Sequence, residues 1–181
     1  MLKLETNRMN LIEIEMKDME DIHRLHSIPE VDEFNTLGIP EDLLSTKRLV
    51  EEMVKETKKS PQKSYSWKIM LKEKDIFIGM AGMNLSGDRF RIGEIYYKLV
   101  PKYWGKGYAT EISKKLINIG FDHFNLHRIE AGVATENKNS IKVLKKSGMI
   151  FEGIRRKILP IRGAWKDNYE YAIIEDDPRE E

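Results

Sequence analysis

Two glycines flank a lysine where a predicted strand runs into a predicted helix, and this junction has the chemistry of an anion site. The strand covers 92–100, and Gly105, Lys106 and Gly107 open the helix. The first N–H groups of a helix have no partner within it, and the helix dipole places partial positive charge there. Glycine lets the backbone approach an anion closely, and Lys102 and Lys106 add positive charge. The junction predicts a phosphate-binding turn, and a turn shaped by glycine geometry alone is the alternative.

Two known phosphate motifs do not fit this turn. A P-loop requires a lysine followed by serine or threonine, whereas Lys106 is followed by Gly107. A dinucleotide-binding fingerprint requires glycine three residues after Gly107, where Thr110 stands. That fingerprint would also open the first unit of a parallel sheet, and here the turn follows a predicted antiparallel meander.

Metal and thiol chemistry have little support in the sequence. The chain contains no cysteine, which excludes disulfides, thiolate metal sites and a cysteine nucleophile. His23 and His26 are three residues apart in a predicted helix, but no partner ligands stand nearby in the sequence. We expect no metal site.

Length and composition indicate one globular domain over residues 1–181. The hydrophobic share is 40%, the charged share is 34% and the formal net charge is +1. Nucleic-acid-binding proteins usually carry a clustered basic excess, so this balance argues against such a partner. The N-terminus has no apolar run typical of a signal peptide or a membrane span. We therefore expect a cytoplasmic protein with no membrane partner.

The elements needed to position the turn follow a β-α-α-β-β-β-α-β-α-β-β pattern. Alternating or continuous apolar runs predict strands over 9–14, 65–71, 76–83, 92–100, 127–134, 150–158 and 165–174. Helical spacing predicts helices over 18–25, 45–58, 105–124 and 140–147, whereas 30–44 has no clear period and reads as a loop. This order predicts an α+β fold with a mixed, mostly antiparallel sheet and helices on its faces.

Three ordered blocks resemble the GCN5-related N-acetyltransferases (GNAT). The stretch 93–111, GEIYYKLVPKYWGKGYATE, is similar to the family's cofactor motif. Residues 127–130 and 136–149 are similar to its second block, and 151–156, FEGIRR, continue as in the RimJ/RimL-like subgroup of ribosomal-protein N-terminal acetyltransferases. The resemblance covers most of the chain. It implies a sheet that is splayed at a cofactor cleft.

The resemblance also implies how acetyl-CoA is bound. Backbone groups of two residues would pair with the pantetheine amides, N–H groups of the glycine turn would hold the pyrophosphate, and later side chains would reach the pantetheine, the sulfur and the 3′-phosphate. The pantetheine amides would pair with Leu99 and Val100, and Asn137 and Ser140 would lie near the pantetheine and the sulfur. The pyrophosphate would bind the N–H groups of Trp104, Gly105, Lys106, Gly107, Tyr108, Ala109 and Thr110. Lys145 would reach the 3′-phosphate, and a solvated lysine on a helix face is the alternative for it.

Catalysis in this family is direct attack of an amine on the thioester, which needs a group to take the amine proton. Glu94 is the first candidate because it lies on the strand next to the cleft, and Glu130 on the adjoining strand is the second. Either could instead be a surface or salt-bridged carboxylate. Many relatives use a helical tyrosine as general acid, but Leu144 stands at that position. Ser140 is the remaining hydroxyl, and it could alternatively cap the helix.

Two further departures from the family pattern concern charge. Lys102 stands where the family usually has Gln or Arg, which keeps the charge of Arg but not its planar fork. Residues 154–162 contain no carboxylate, which excludes an acid from that strand.

The resemblance implies an enzyme that acetylates a primary amine. The subgroup points to the N-terminal α-amine of a protein, with a ribosomal protein as the candidate, and a small-molecule amine such as an antibiotic is the alternative acceptor. A non-catalytic acetyl-CoA-binding regulatory module is the alternative from another class. A third hypothesis, an RNA-associated adaptor, has only the basic run 155–157 in its favour. Relatives often form homodimers.

Overall fold

The computed structural model describes residues 2–87 and 89–179, which form one eight-stranded sheet. The strands are β1 Leu4–Glu5, β2 Met9–Glu13, β3 Ser64–Leu71, β4 Ile76–Leu85, β5 Ile92–Leu99, β6 Arg128–Ala134, β7 Ile150–Ile161 and β8 Ala164–Ile174. Their order across the sheet is β1-β2-β3-β4-β5-β6-β8-β7. All neighbouring pairs are antiparallel except β5 and β6. The predicted mixed, mostly antiparallel sheet is confirmed.

Helices cover both faces of the sheet because the central strands bury side chains on both sides. The helices are α1 Met19–His26, α2 Pro29–Asp32, α3 Leu43–Glu56, α4 Tyr108–Asp122 and α5 Lys138–Lys146. On β4, Ala81 and Met83 join the core that contains Ile112 and Leu116 of α4. The neighbouring Met80 joins a second core, with residues of α1 and α3. Burial of each large apolar side chain contributes about 1.5–3 kcal/mol, so the two cores hold the helices on the sheet.

The parallel pair β5 and β6 separates after three residue pairs. Ile92, Gly93 and Glu94 lie opposite Arg128, Ile129 and Glu130, and the pairing of the two strands ends there. Beyond that point both strands continue, β5 to Leu99 and β6 to Ala134. The predicted splay in the sheet is thereby confirmed, and it opens a cleft in the middle of the molecule.

The segment predicted as a loop over 30–44 is partly helical. It contains the short helix α2, which begins at Pro29, and the first residues of α3. The helix α3 begins two residues before the predicted Ser45 because the Asp42 side chain accepts a hydrogen bond from the Ser45 N–H at 2.7 Å. The short strand β1 was not predicted, since two residues carry too little pattern to recognise.

Two helices at the cleft begin at other residues than predicted. Helix α4 begins at Tyr108 and not at Gly105, because Gly105 and Gly107 adopt left-handed backbone conformations that a right-handed helix excludes. Helix α5 begins at Lys138, and its cap is Asn137, whose side chain accepts from the Ser140 N–H at 3.1 Å. Ser140 therefore lies inside the first turn, and the alternative that it caps the helix is wrong. Among residues 2–87 and 89–179, no helix is long and apolar enough to cross a membrane.

Candidate active site

The cleft contains two cavities, and the larger one lies against the glycine turn. We call it the loop cavity, and its volume is about 650 Å³. Its walls come from β5, from the turn before α4, from one side of α5 and from the segment around α2. The predicted cofactor residues among its lining are Leu99, Trp104, Gly105, Gly107, Tyr108, Ala109, Thr110, Asn137 and Ser140.

The glycine turn directs backbone N–H groups toward the loop cavity. Gly105 and Gly107 have φ angles of 73° and 79°, a conformation that costs other residues about 1–2 kcal/mol. The first hydrogen bond of α4 runs from the Glu111 N–H to the Gly107 carbonyl at 3.1 Å. The N–H groups of 108–110 therefore have no acceptor within the helix, and these residues line the cavity. This arrangement suits an anion.

Arg8, in the connection between β1 and β2, fixes the turn from outside. Its backbone N–H and its Nε both donate to the Glu111 carboxylate, at 2.9 and 2.7 Å. Its Nη1 donates to the Lys106 carbonyl at 3.0 Å, and its guanidinium lies 4.2 Å from the centre of the Tyr108 ring. The backbone of the turn is thus held by a side chain that itself lies outside the cavity lining.

The end of β5 offers one backbone residue to the loop cavity. Both groups of Val100 are engaged, because its N–H donates to Ile78 and its carbonyl accepts from Tyr103, each at 2.9 Å. The Leu99 carbonyl accepts from the Trp104 indole at 2.7 Å. Successive peptide groups point to opposite sides of a strand, so the Leu99 N–H faces the cleft. The geometry supports Leu99 as a pantetheine contact and does not support Val100.

The lysines that line the loop cavity are not the predicted ones. Lys106 and Lys145 lie outside the lining, whereas Lys98, Lys142 and Lys146 belong to it. Lys142 and Lys146 are one turn apart and share a face of α5, while Lys145 lies on another face. Residues 139, 142, 143 and 146 have helical spacing and all line the cavity, so this face of α5 is the one turned toward it. Lys145 is not on that face.

The second cavity, of about 440 Å³, lies where β5 and β6 separate. We call it the acidic cavity because the carboxylates of Glu94, Glu130 and Glu170 line it. Asn168 on β8 is 5% exposed and donates from Nδ2 to Glu170 at 2.6 Å, which holds that carboxylate in place. Sequence reasoning missed Glu170. No local motif marks it, and only the antiparallel pairing of β6 with β8 brings it to the cleft.

The Glu94 carboxyl group lines the acidic cavity, and its pKa is raised. Partial desolvation by the cavity walls raises its pKa above the ordinary 4.5, and the neighbouring carboxylates of Glu170 and Glu130 raise it further. Arg155 opposes this rise in pKa. A carboxylate with a raised pKa is better matched to proton transfer near neutral pH than an ordinary one.

Glu130, the second candidate base, is engaged in an ion pair. Its Oε1 accepts from the Arg128 Nε at 2.6 Å, and the same guanidinium also binds Glu152. This arrangement is the salt-bridged alternative stated above for such a carboxylate. It leaves Glu94 as the carboxylate better placed to take a proton.

Five residues line both cavities and therefore mark where the cavities meet. This junction consists of Phe34, Asn35, Tyr97, Asn137 and Ser140. Two of them, Asn137 and Ser140, were predicted. The other three were not, because 30–44 has no sequence period and an aromatic residue in a strand is usually a packing residue.

Two junction side chains have polar atoms of particular interest. The Asn35 Oδ1 accepts from the Lys98 Nζ at 3.1 Å, while its buried Nδ2 has no partner among the described residues. A bound carbonyl oxygen would satisfy that donor. Burial raises the pKa of Tyr97 to about 12.

The histidines do not form a metal site. His23 Nδ1 lies 2.7 Å from the Thr46 hydroxyl, and His26 is buried at 4% exposure. Burial, together with Lys98 and His23, lowers the pKa of His26 to about 4. Within 2–87 and 89–179, no three histidine or acidic side chains are grouped so that they could hold a metal ion.

The loop cavity fits a ligand with an anionic end and an amide-bearing arm. Free N–H groups at 108–110, with Lys142 and Lys146 nearby, suit phosphate groups. The Leu99 N–H suits an amide carbonyl along the arm. The unpartnered Asn35 Nδ2 lies at the junction. Coenzyme A has this order of groups, so the residues present fit it.

Comparisons with known proteins decide the family. The model of the family described as "Acetyltransferase (GNAT) domain" matches residues 8–150. The chain belongs to the GNAT acetyltransferase family. It is 32% identical to the "Uncharacterized N-acetyltransferase p20" of Bacillus licheniformis over 171 residues, which cover 94% of this chain and 95% of that protein. The sequence-based prediction of an acetyl-CoA-dependent N-acetyltransferase is confirmed.

Solved structures have the same fold. A GNAT acetyltransferase from Bacillus anthracis is 29% identical, with a TM-score of 0.82 over 97% of this chain and 100% of that one. The ribosomal-protein-S5-alanine acetyltransferase of Vibrio fischeri is 24% identical, with a TM-score of 0.83 and 98% of both chains covered. The second likeness concerns the fold, which this GNAT chain shares with the RimJ/RimL-like subgroup.

Proposed function

We propose that this GNAT enzyme transfers the acetyl group to a primary amine that enters the acidic cavity, and that Glu94 takes the amine proton. One observation carries the proposal. A carboxylate with a raised pKa lies in a cavity that meets the cofactor-shaped cavity at five shared residues. Two substrates held in the two cavities would have their reactive ends at the junction, which supplies the proximity that a bimolecular reaction needs.

The cofactor would lie in the loop cavity. Acetyl-CoA, when bound, supplies the acetyl group as an activated thioester. The N–H groups at 108–110, with Lys142 and Lys146, would hold its phosphates, and the Leu99 N–H would orient its arm. Trp104 would pack along that arm, since its indole is fixed by the bond to the Leu99 carbonyl. Asn137 and Ser140 would lie near the reactive end.

The acidic cavity would bind the acceptor in its ammonium form. Glu94, Glu130 and Glu170 create a negative potential that attracts a cation. The ammonium group must then lose a proton before its nitrogen can attack. Glu94, alone or through a water molecule, would accept that proton. The raised pKa of Glu94 keeps the carboxylate basic enough for this step.

The proposed acceptor is the N-terminal α-amine of a protein, and a ribosomal protein is the leading candidate. Arg155, Arg156 and Lys157 are exposed on β7 beside the acidic cavity, and they would attract an acidic protein surface. A small polycationic amine is the second candidate, since three carboxylates line the cavity. We also propose that the protein forms a homodimer. The edge strand β7 leaves the apolar side chains of Ile150, Phe151 and Ile154 exposed, and a second copy could cover them. Analytical ultracentrifugation would measure the oligomeric state.

Glu94→Gln tests the proposed chemistry. Loss of the base should lower kcat by roughly a hundredfold, within the range for general bases, and should leave the affinity for acetyl-CoA unchanged. Thiol release from acetyl-CoA is measured against peptides with free N-termini, the same peptides N-blocked, and a panel of diamines. Glu136→Gln is the control, because that glutamate is exposed and pairs with Lys166 outside the acidic cavity.

The outcomes separate the candidates. Turnover of free but not blocked peptides supports a protein acceptor, and turnover of diamines alone supports the small amine. Tight acetyl-CoA binding with no thiol release from any amine would indicate the non-catalytic module. Unchanged turnover in Glu94→Gln would remove Glu94 from the mechanism.

A further inference from the structure

Lys98 is a partly buried lysine of the cleft for which the proposed chemistry has no use. It is the residue before Leu99 on β5, and it lines the loop cavity. Its Nζ donates to the Asn35 Oδ1 at 3.1 Å, and Asn35 lines both cavities. Lys98 therefore places an amine nitrogen one hydrogen bond away from the junction, where the acetyl end of the cofactor would lie.

The Lys98 side chain lies on the face of β5 from which an acceptor would approach. Side chains alternate between the two faces of a strand, so Glu94 and Lys98 share one face. Glu94 lines the acidic cavity, where we place the acceptor amine. Lys98 is paired in register with Met80, whose side chain belongs to the core formed with α1 and α3. The Lys98 amine thus approaches the thioester from the same side as an external acceptor.

The surroundings of Lys98 favour its neutral form. An ammonium group has three hydrogens to donate, and burial of a charge is costly unless the charge is paired. In the part of the chain that the structure describes, Lys98 forms one hydrogen bond and no ion pair. Asp32 on α2 favours the ammonium form, but its carboxylate pairs with Arg162 from the turn between β7 and β8, at 3.3 Å. His26 on α1 is neutral near pH 7, because its pKa is lowered to about 4.

A neutral lysine is a nucleophile, and an ammonium group is not. Burial lowers the pKa of Lys98 from 10.5 to about 8. Near pH 7 this change raises the neutral fraction by about two orders of magnitude relative to an ordinary lysine. The amine is also held beside the cofactor by the strand that carries it, which removes the entropic cost of bringing two molecules together.

We propose that the enzyme transfers the acetyl group to the Nζ of its own Lys98 when no acceptor amine is present. The Nζ attacks the thioester carbonyl carbon, the C–N bond forms, and the C–S bond breaks with its electron pair on sulfur. The nitrogen loses one proton and the sulfur takes up one, directly or through solvent. The products are free coenzyme A and an uncharged amide that keeps one N–H for Asn35. The proposal rests on the proposed function, which places the cofactor in the loop cavity.

Incubation of the wild-type protein with acetyl-CoA, without any added amine, tests the proposal. Peptide mapping by mass spectrometry follows the acetyl group at Lys98 and at Lys74, an exposed lysine in the turn between β3 and β4. Acetylation of Lys98 should saturate with acetyl-CoA and should have a rate constant independent of protein concentration, because the reaction is intramolecular. Lys74 reports uncatalysed acetylation, which should rise linearly with acetyl-CoA and stay at least about tenfold slower. Equal rates at the two lysines would overturn the proposal.

The pH dependence provides a second readout. The rate at Lys98 should rise with pH and level off above about 8, because the neutral amine is the reactive form. The rate at Lys74 should still rise there, since an ordinary lysine titrates near roughly 10.4. A rate at Lys98 that rises in parallel with that at Lys74 over the whole range would contradict a special role for this lysine.

Lys98→Arg and the matched control Lys74→Arg identify the acceptor nitrogen. Arginine keeps a cation that can donate to Asn35, but its guanidinium stays charged and does not attack a thioester. Lys98→Arg should bind acetyl-CoA with unchanged affinity by calorimetry, and its intact mass should show no rapid gain of an acetyl group. Lys74→Arg should gain it as the wild type does. Wild-type protein that binds no acetyl-CoA contradicts the proposed function, whereas bound acetyl-CoA without acetylation of Lys98 overturns only the internal acceptor.

Discussion

The loop cavity and the acidic cavity are built from different parts of the chain. The loop cavity takes much of its wall from one continuous segment, 97–110, where backbone groups and glycine conformations provide the polar surface. The acidic cavity takes its wall from short stretches of α2's flank, β5, β6, β7 and β8, together with residues of α5 and its cap. Backbone groups do not depend on side-chain identity, so they suit a cofactor that is always the same. Side chains on separate strands can be replaced by mutation one at a time, so they suit a ligand that differs between enzymes. We therefore propose that the acidic cavity is the part of the cleft that selects the acceptor.

The largest effect on the loop cavity is expected from Gly107→Ala. An alanine there meets a left-handed strain of roughly 1–2 kcal/mol, and relief of that strain would turn the N–H groups away from the cavity. The dissociation constant for coenzyme A should rise about tenfold, since 1.4 kcal/mol equals a factor of ten. Calorimetry measures it. Gly38→Ala is the control, because Gly38 has a similar φ of 76° with open space around it. An equal loss in both variants would mean that the turn has no special role.

A smaller effect is expected from Lys142→Ala combined with Lys146→Ala. Two exposed ammonium groups near phosphates contribute up to about 1 kcal/mol, so the dissociation constant for coenzyme A should rise about fivefold. The effect should shrink at high salt because of screening. Lys145→Ala, on the same helix but outside the lining, should have no effect. Weakened binding in that control alone would restore the original sequence-based assignment of Lys145.

The smallest effect is a shift in pH dependence from Glu170→Gln. Removal of this neighbouring carboxylate removes one cause of the raised Glu94 pKa. It also removes the ion-pair partner of Arg155, whose Nη1 lies 3.4 Å from Glu170, so that the Arg155 charge acts more strongly on Glu94. Both changes lower the Glu94 pKa. The acid limb of kcat/KM, where the base becomes protonated, should therefore move to lower pH. A shift to higher pH would contradict the arrangement of charges, and Glu136→Gln should produce none.

The difference between the cavities also explains what the sequence could predict. The sheet, the splay and the contacts of the glycine turn follow from local pattern and a family motif, because the loop cavity is largely one stretch of chain. Glu94 lines the other cavity, but it was predicted because it lies within the same family motif, 93–111. Asn35, Tyr97, Lys142 and Glu170 were missed, since their roles depend on which strands and helices meet in three dimensions. The role of Lys145 was assigned wrongly for the same reason. Whether a lysine on α5 can reach the cofactor depends on which face of that helix is turned toward the cavity.

Some expectations remain predictions. The single-domain organisation over 1–181 and the cytoplasmic location stay untested, as do the individual roles of the site residues. The acceptor is the largest of these questions. Under the proposal above, it depends on the acidic cavity, most of whose lining lies outside the family motif 93–111.

The contact of Arg8 with the glycine turn has a consequence for how the protein folds. Arg8 and Glu111 are 103 positions apart in the chain, and loop closure over such a distance is entropically costly and slow. We therefore expect the turn to acquire its final shape only after the hairpin of β1 and β2 has docked against the rest of the sheet. Binding of coenzyme A should therefore appear late in refolding, after most of the helical circular-dichroism signal has returned. Cofactor binding would then mark the last step of folding.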